Sequence, residues 1–121
     1  MVAIARKKNA DAIAAGRARI ERGEFPDVDL GNARFDKVFA VHVAALWQRA
    51  DAMLPAVRRL LNPGGRLYLL GHVPPQMADA AALRRRGQTI AEALAGHGFS
   101  AEQRVEQTPS GAGLCVIGAP A

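Results

Sequence analysis

Two stretches decide the fold: Phe35-Asp36-Lys37-Val38-Phe39-Ala40-Val41-His42-Val43, and Asn62-Pro63-Gly64-Gly65-Arg66-Leu67-Tyr68-Leu69-Leu70-Gly71. The first is rich in β-branched and aromatic residues and nearly continuously apolar after Lys37, the pattern of a strand buried on both faces. Arg66–Gly71 reads as a second buried strand. Between them, Ala45 to Leu61 has helical period, with Leu46, Ala50, Met53, Leu54, Val57, Leu60 and Leu61 on one side. Asn62-Pro63-Gly64-Gly65 stops that helix, because Pro cannot continue it and Gly supplies positive φ.

Upstream, residues 2–18 read as a helix in which Val2, Ala5, Asn9, Ala12, Ile13 and Ala15 share a face. Ala18-Arg19-Ile20-Glu21 is a weak strand candidate, and Gly23 to Arg34 carries loop chemistry in Pro26, Asp27, Asp29, Gly31 and Asn32. Downstream, His72-Val73-Pro74-Pro75 is a break. Met77 to Gly96 is a further helix, with Gly87 as its weak point, ended by Gly98-Phe99. Ala101 to Thr108 alternates as a strand should, Pro109-Ser110-Gly111-Ala112-Gly113 is a hairpin loop, and Leu114–Gly118 is a last strand. Helices alternating with buried strands imply the α/β class: a mostly parallel sheet, helices packed on its faces, and a closing antiparallel hairpin. No repeat or long linker divides the chain, so residues 1–121 are expected to form a single domain.

Composition narrows the function classes. The chain has 121 residues, 16 basic against 11 acidic side chains for a net charge of +5, and one cysteine. A lone cysteine excludes a disulfide framework and a multi-cysteine zinc site, and the three histidines show no metal-ligand spacing, so no metal is expected. No apolar run approaches the ~18 residues of a membrane span, and the N-terminal charges follow a very short apolar stretch, the reverse of a signal peptide. A cytoplasmic protein without membrane contact is the expectation. The pI near 10.3 permits anionic partners. Arg84-Arg85-Arg86 reads as a solvated helix face or as a phosphate patch, but the interleaved aromatics of a nucleic-acid surface are missing, and nucleic acid is not the expected partner.

FDKVFAVH (35–42), followed by a helix and then by RRLLNPGGRLYL (58–69), resembles the class I S-adenosylmethionine (SAM)-dependent methyltransferases. There the fourth strand often reads like FDxVxxxN, and LxPGGxL precedes the fifth. Gly98 to Gly118 looks like the family's last two strands, and Met1–Asn9 like the helix after its second strand. The resemblance covers nearly the whole chain but only the last two-thirds or so of the family domain. It implies a Rossmann-like sheet, SAM as methyl donor and a small-molecule methyl acceptor. The Gly-rich turn that approaches SAM, and the acid that binds its ribose, have no counterpart in these residues. Gly111-Ala112-Gly113 has the wrong spacing and no helix after it. The chain alone is therefore expected to bind SAM weakly or not at all.

The resemblance assigns three cofactor contacts. Glu24, after Gly23, matches the acid that hydrogen-bonds the adenine amino group, and Phe25 lies next to it. His42 ends the strand where the family often has Asn facing the methionine part of SAM and the acceptor. Read without the resemblance, these are a solvated loop acid, a core aromatic and a satisfied structural histidine. Trp47 either borders a substrate pocket or anchors its helix. His72 lies at the carboxyl edge of the sheet, where α/β folds bind ligands. His97 favours the helix C-terminal dipole, and Cys115 reads as an inert core thiol. No catalytic residue is assigned, because transfer from a sulfonium needs mainly alignment.

In the family's strand order (3-2-1-4-5-7-6), strands one and two separate the third from the fourth. Without them Phe35–Val43 becomes an apolar, unpaired edge. Pairing with Ala18–Glu21, a homodimer or a partner chain across that edge are the expected remedies. A non-catalytic homodimeric module and a basic nucleic-acid binder remain as alternative functions.

Overall fold

The computed structural model describes residues 1–121 and divides into two compact units, Met1–Gly31 and Asn32–Ala121. In the first, the expected single helix is two: α1 (Val2–Lys8) and α2 (Ala10–Ala14). The break falls at Asn9, whose side-chain amide donates to the Ala5 carbonyl at 2.8 Å and so competes with the helical ladder. Gly16 (φ 75°) ends α2 in a Schellman turn: its N–H donates to Ile13, and the N–H of Arg17 donates to Ala12. Ala18–Glu21 forms no strand, contrary to expectation; Arg6 ties this segment to α1 by donating to the Ile20 carbonyl at 3.1 Å. The segment is short: Arg19 and Glu21 form an exposed ion pair, while Ala18 and Ile20 are half-buried.

The second unit holds β1 (Phe35–Val41), α3 (Ala45–Gln48), α4 (Ala50–Leu60), β2 (Leu61–Val73), a 3-10 turn (Pro75–Met77), α5 (Ala80–Ala95), β3 (Phe99–Thr108) and β4 (Gly111–Pro120). The sheet order is β1-β2-β4-β3. β1 and β2 are parallel, while β4 runs antiparallel to both of its neighbours, so three of the four strands point the same way. The fold is α/β with a Rossmann-like mixed sheet.

PGG does more than stop a helix. β2 starts directly at Leu61, which pairs with Phe35, and the register then jumps to Lys37 opposite Arg66. The residues between form a bulge held by Asn62, whose amide donates to the Asp36 carboxylate at 3.0 Å. Gly64 sits at φ 80°, and a Cβ on Gly65 would meet the carbonyls of Asn62 and Asp36 at 2.9 and 3.2 Å. α5 is capped by Asp79, which accepts from the N–H groups of Ala81 and Ala82. The hairpin turn needs only Pro109-Ser110, because β4 already begins at Gly111.

Leu67, Leu69, Leu114, Val116 and Phe99 from the strands pack against Met53, Leu54 and Val57 of α4 and Leu83, Ile90 and Leu94 of α5, all buried. These helices cover one face of the sheet. The other carries Phe39, Val41, Tyr68, Leu70, Cys115 and Ile117. Phe39 there is 72% exposed, and no residue of β1 is fully buried. Burial of β1 on both faces is therefore not met. β1 ends the sheet, and within this unit no helix packs on its second face.

Candidate functional site

The carboxyl ends of β1 and β2 meet at His42. Its N–H donates to the Leu70 carbonyl at 2.9 Å, continuing the parallel ladder by one residue. Its φ then turns to 57°, the one non-glycine residue in the left-handed region. Histidine tolerates that conformation better than a β-branched residue would, at a cost of about 1–2 kcal/mol. The turn swings the imidazole over β2. A Cβ on Gly71 would lie 4.0 Å from both Cε1 and Nδ1 of the ring, an ordinary van der Waals contact, so the ring sits directly beside Gly71. Strain held at a strand end marks a position that the surrounding structure over-determines.

From this turn the chain enters α3, where Leu46 is buried and Trp47 half-buried. His42, Trp47, Leu69, Leu70, Gly71, Leu83, Arg86, Ile90 and Leu114 line a cavity of about 40 Å³. Its floor is aliphatic; its polar groups are the imidazole and a guanidinium, and no carboxylate lines it. His42 is exposed rather than a satisfied core histidine, and its ring has no hydrogen-bond partner. Trp47 both borders the cavity and packs, so the two readings of it are compatible.

Glu24 and Phe25 lie in the first unit, in the turn closed by the Val28 N–H donating to the Glu24 carbonyl at 2.7 Å. The Glu24 side chain is exposed and Phe25 half-buried. They are neighbours of each other; His42 belongs to the second unit. His72 is part of β2 rather than of a break after it, exposed on the face away from the helices. His97 packs where α5 ends, with Nδ1 2.8 Å from the Ala93 carbonyl and Nε2 2.8 Å from Asp51. Those two acceptors, the carbonyl first, raise its pKa above the usual value near 6.5. Cys115 is half-buried on the open face rather than in the core, and burial pushes its thiol up.

Sequence reasoning left Arg86 within a solvated run; it is exposed as that reading expects, and the structure adds that it borders the cavity. The signal was available: Leu83, Arg86 and Ile90 stand three and four apart, so they share a helix face. Arg84 and Arg85 do not line the cavity.

A mixed sheet with a strained residue and a cavity at its carboxyl edge defines an α/β protein of Rossmann-like architecture. The family is more specific: the model of the methyltransferase domain matches residues 1–69, more than half of the chain, which therefore belongs to the methyltransferase-domain family. Solved structures agree on the fold. TnmH is 23% identical with a TM-score of 0.62, over 98% of this chain and 40% of its own. The mitomycin 7-O-methyltransferase MmcR is 19% identical with a TM-score of 0.61, over 97% and 38%. The pyocyanin biosynthetic protein PhzM is 16% identical with a TM-score of 0.66, over 98% and 39%. The chain thus spans about 40% of the length of these proteins. No curated protein matches its sequence. No helix is long and apolar enough to cross a membrane.

Proposed function

We propose that these residues form the acceptor-side portion of a SAM-dependent methyltransferase acting on a small molecule, with the two compact units as parts of one domain. The family match supports that unity, since residues 1–69 run across the boundary at Gly31. The observation that carries the reading is His42: a left-handed residue at the carboxyl end of β1, its unpartnered ring facing a cavity beside Trp47. Glu24 would accept from the adenine amino group with Phe25 beside the ring, both by likeness to the family.

The cofactor supplies an electrophilic methyl group when bound. The His42 cavity does not enclose it. About 40 Å³ is room for roughly three waters, whereas ligand sites that bury a drug-sized molecule run to about 300–1,000 Å³. No transfer step is derived through it. Calorimetry of the 121-residue chain with SAM and with S-adenosylhomocysteine tests the reading. Heats too small to fit are expected for both ligands, with His42→Ala no different. Micromolar binding would overturn the incomplete site.

A second reading is favoured by the apolar face of the sheet, where Phe39, Val41 and Leu70 stay exposed beside an edge strand. On that reading the chain is a homodimer, or holds a partner chain, across β1.

A further inference from the structure

The groups lining the His42 cavity differ in chemistry in a way that selects a ligand. Four aliphatic residues of the helix-covered side, Leu69, Leu83, Ile90 and Leu114, make its walls, and Trp47 stands at its side. Against these is one permanent charge, the Arg86 guanidinium. Like Arg84 and Arg85, it is exposed and forms no ion pair and no hydrogen bond; what sets it apart from them is its place on the cavity. A guanidinium presents a planar fork of donors that matches a carboxylate two bonds at a time. The imidazole of His42 is a second unpartnered donor on the same cavity. A cationic group would find no counter-charge here. An anionic oxygen pair would find both donors at the exposed rim, with aliphatic side chains beneath them.

We infer that Arg86 is a specificity-determining residue that anchors the carboxylate of an apolar methyl acceptor, holding the acceptor's body against Trp47. This rests on the methyltransferase reading for the word acceptor; the anion site itself does not. The volume agrees with it. About 40 Å³ takes the carboxylate group, and leaves the rest of the molecule outside the opening, where an acceptor atom has to be if a methyl group is to reach it. Arg84 and Arg85, adjacent in sequence but absent from the cavity, are the internal controls.

Trp47 is the only tryptophan, so its fluorescence reports occupancy of the cavity directly. The full chain is titrated with benzoate and with benzamide, which share shape and differ in charge. Expected is a saturable Trp47 signal with benzoate, weakened about tenfold or more with benzamide and in Arg86→Gln, and partly restored in Arg86→Lys. Arg84→Gln and Arg85→Gln should match wild type, and circular dichroism shows that the variants are folded. Equal affinity for the two probes, an equal loss in all three Arg variants, or no signal change with benzoate each overturns the site. The calorimetry with SAM is read separately: micromolar SAM binding would overturn the incomplete-site reading and leave the anion site standing.

Discussion

Arg86 and His97 show how one residue's surroundings decide its role. His97 has an acceptor at each ring nitrogen, the Ala93 carbonyl and Asp51. Neutral imidazole has one N–H and satisfies one of them, while imidazolium donates to both. The folded state therefore binds this proton more tightly than the unfolded chain, with the Ala93 bond the larger cause and Asp51 the next. The resulting stability is fully present below pH 6.5 and disappears as pH rises through the folded-state value above it. Thermal midpoints from pH 5 to 9 should fall across that window. Asp51→Asn should shrink the fall without abolishing it, since Ala93 remains. A midpoint that rises with pH there, with or without Asp51, would contradict the assignment.

Gln103 argues the reverse case, a polar atom with nothing to bond. Its Oε1 is buried without a partner beneath α5, at the point where Gly87 brings the helix close to β3; a Cβ on Gly87 would run into that amide. The glycine that weakens the helix in the sequence is thus what lets it sit down on the sheet. An apolar side chain of similar shape removes the desolvation cost of the orphan oxygen. Gln103→Met is expected to stabilise by about 1 kcal/mol in urea unfolding; a loss of stability would mean that the amide has a partner in solution.

At the scale of elements, strand and helix identity was legible in β1, β2, α4 and α5 because each carries a clear period. The ends were less so. LNPGG reads as a helix stop, yet its residues already belong to β2, since the bulge opposite Asp36 depends on a long-range pairing that no local pattern contains. Asn9 looked like part of a helix face because periodicity ignores what its amide can bond. The same limit applied to the site: His42 was found through a strand end, whereas Arg86 lay in a charge run and became visible only with Leu83 and Ile90 on either side. At Gly65 the added Cβ would meet two backbone oxygens, which cannot swing away as a side chain does. Gly65→Ala should therefore cost about 1–3 kcal/mol by denaturant midpoint. A neutral result would show that the bulge is looser than its bond from Asn62 implies.

At the scale of the whole molecule, the open side of the sheet in the second unit is the dominant unexplained feature. With the His42 N–H bonded to Leu70, alternation along the strand turns the backbone groups of Phe39 and Val41 outward, away from β2. Their side chains lie exposed on the face opposite the helices, next to Tyr68 and Leu70. Free ladder groups and an apolar surface together make a template for another strand, and Lys37 is the one charge on the apolar face of β1 that opposes it, Asp36 standing on the other face. Two copies of β1 running antiparallel with Val38 at the two-fold axis would set Phe35 opposite Val41 and Lys37 opposite Phe39. Each Lys37 then meets a ring rather than its own kind. Light scattering on a size-exclusion column should report twice the chain's 12.8 kDa. Phe39→Lys, which places like charges opposite each other in that register, should return it to a monomer. Val41→Pro, which removes an outward N–H while leaving the bonds to β2 intact, should do the same. A wild-type chain that stays monomeric when concentrated, or a dimer indifferent to both changes, would move the interface away from β1 and take the homodimer reading with it.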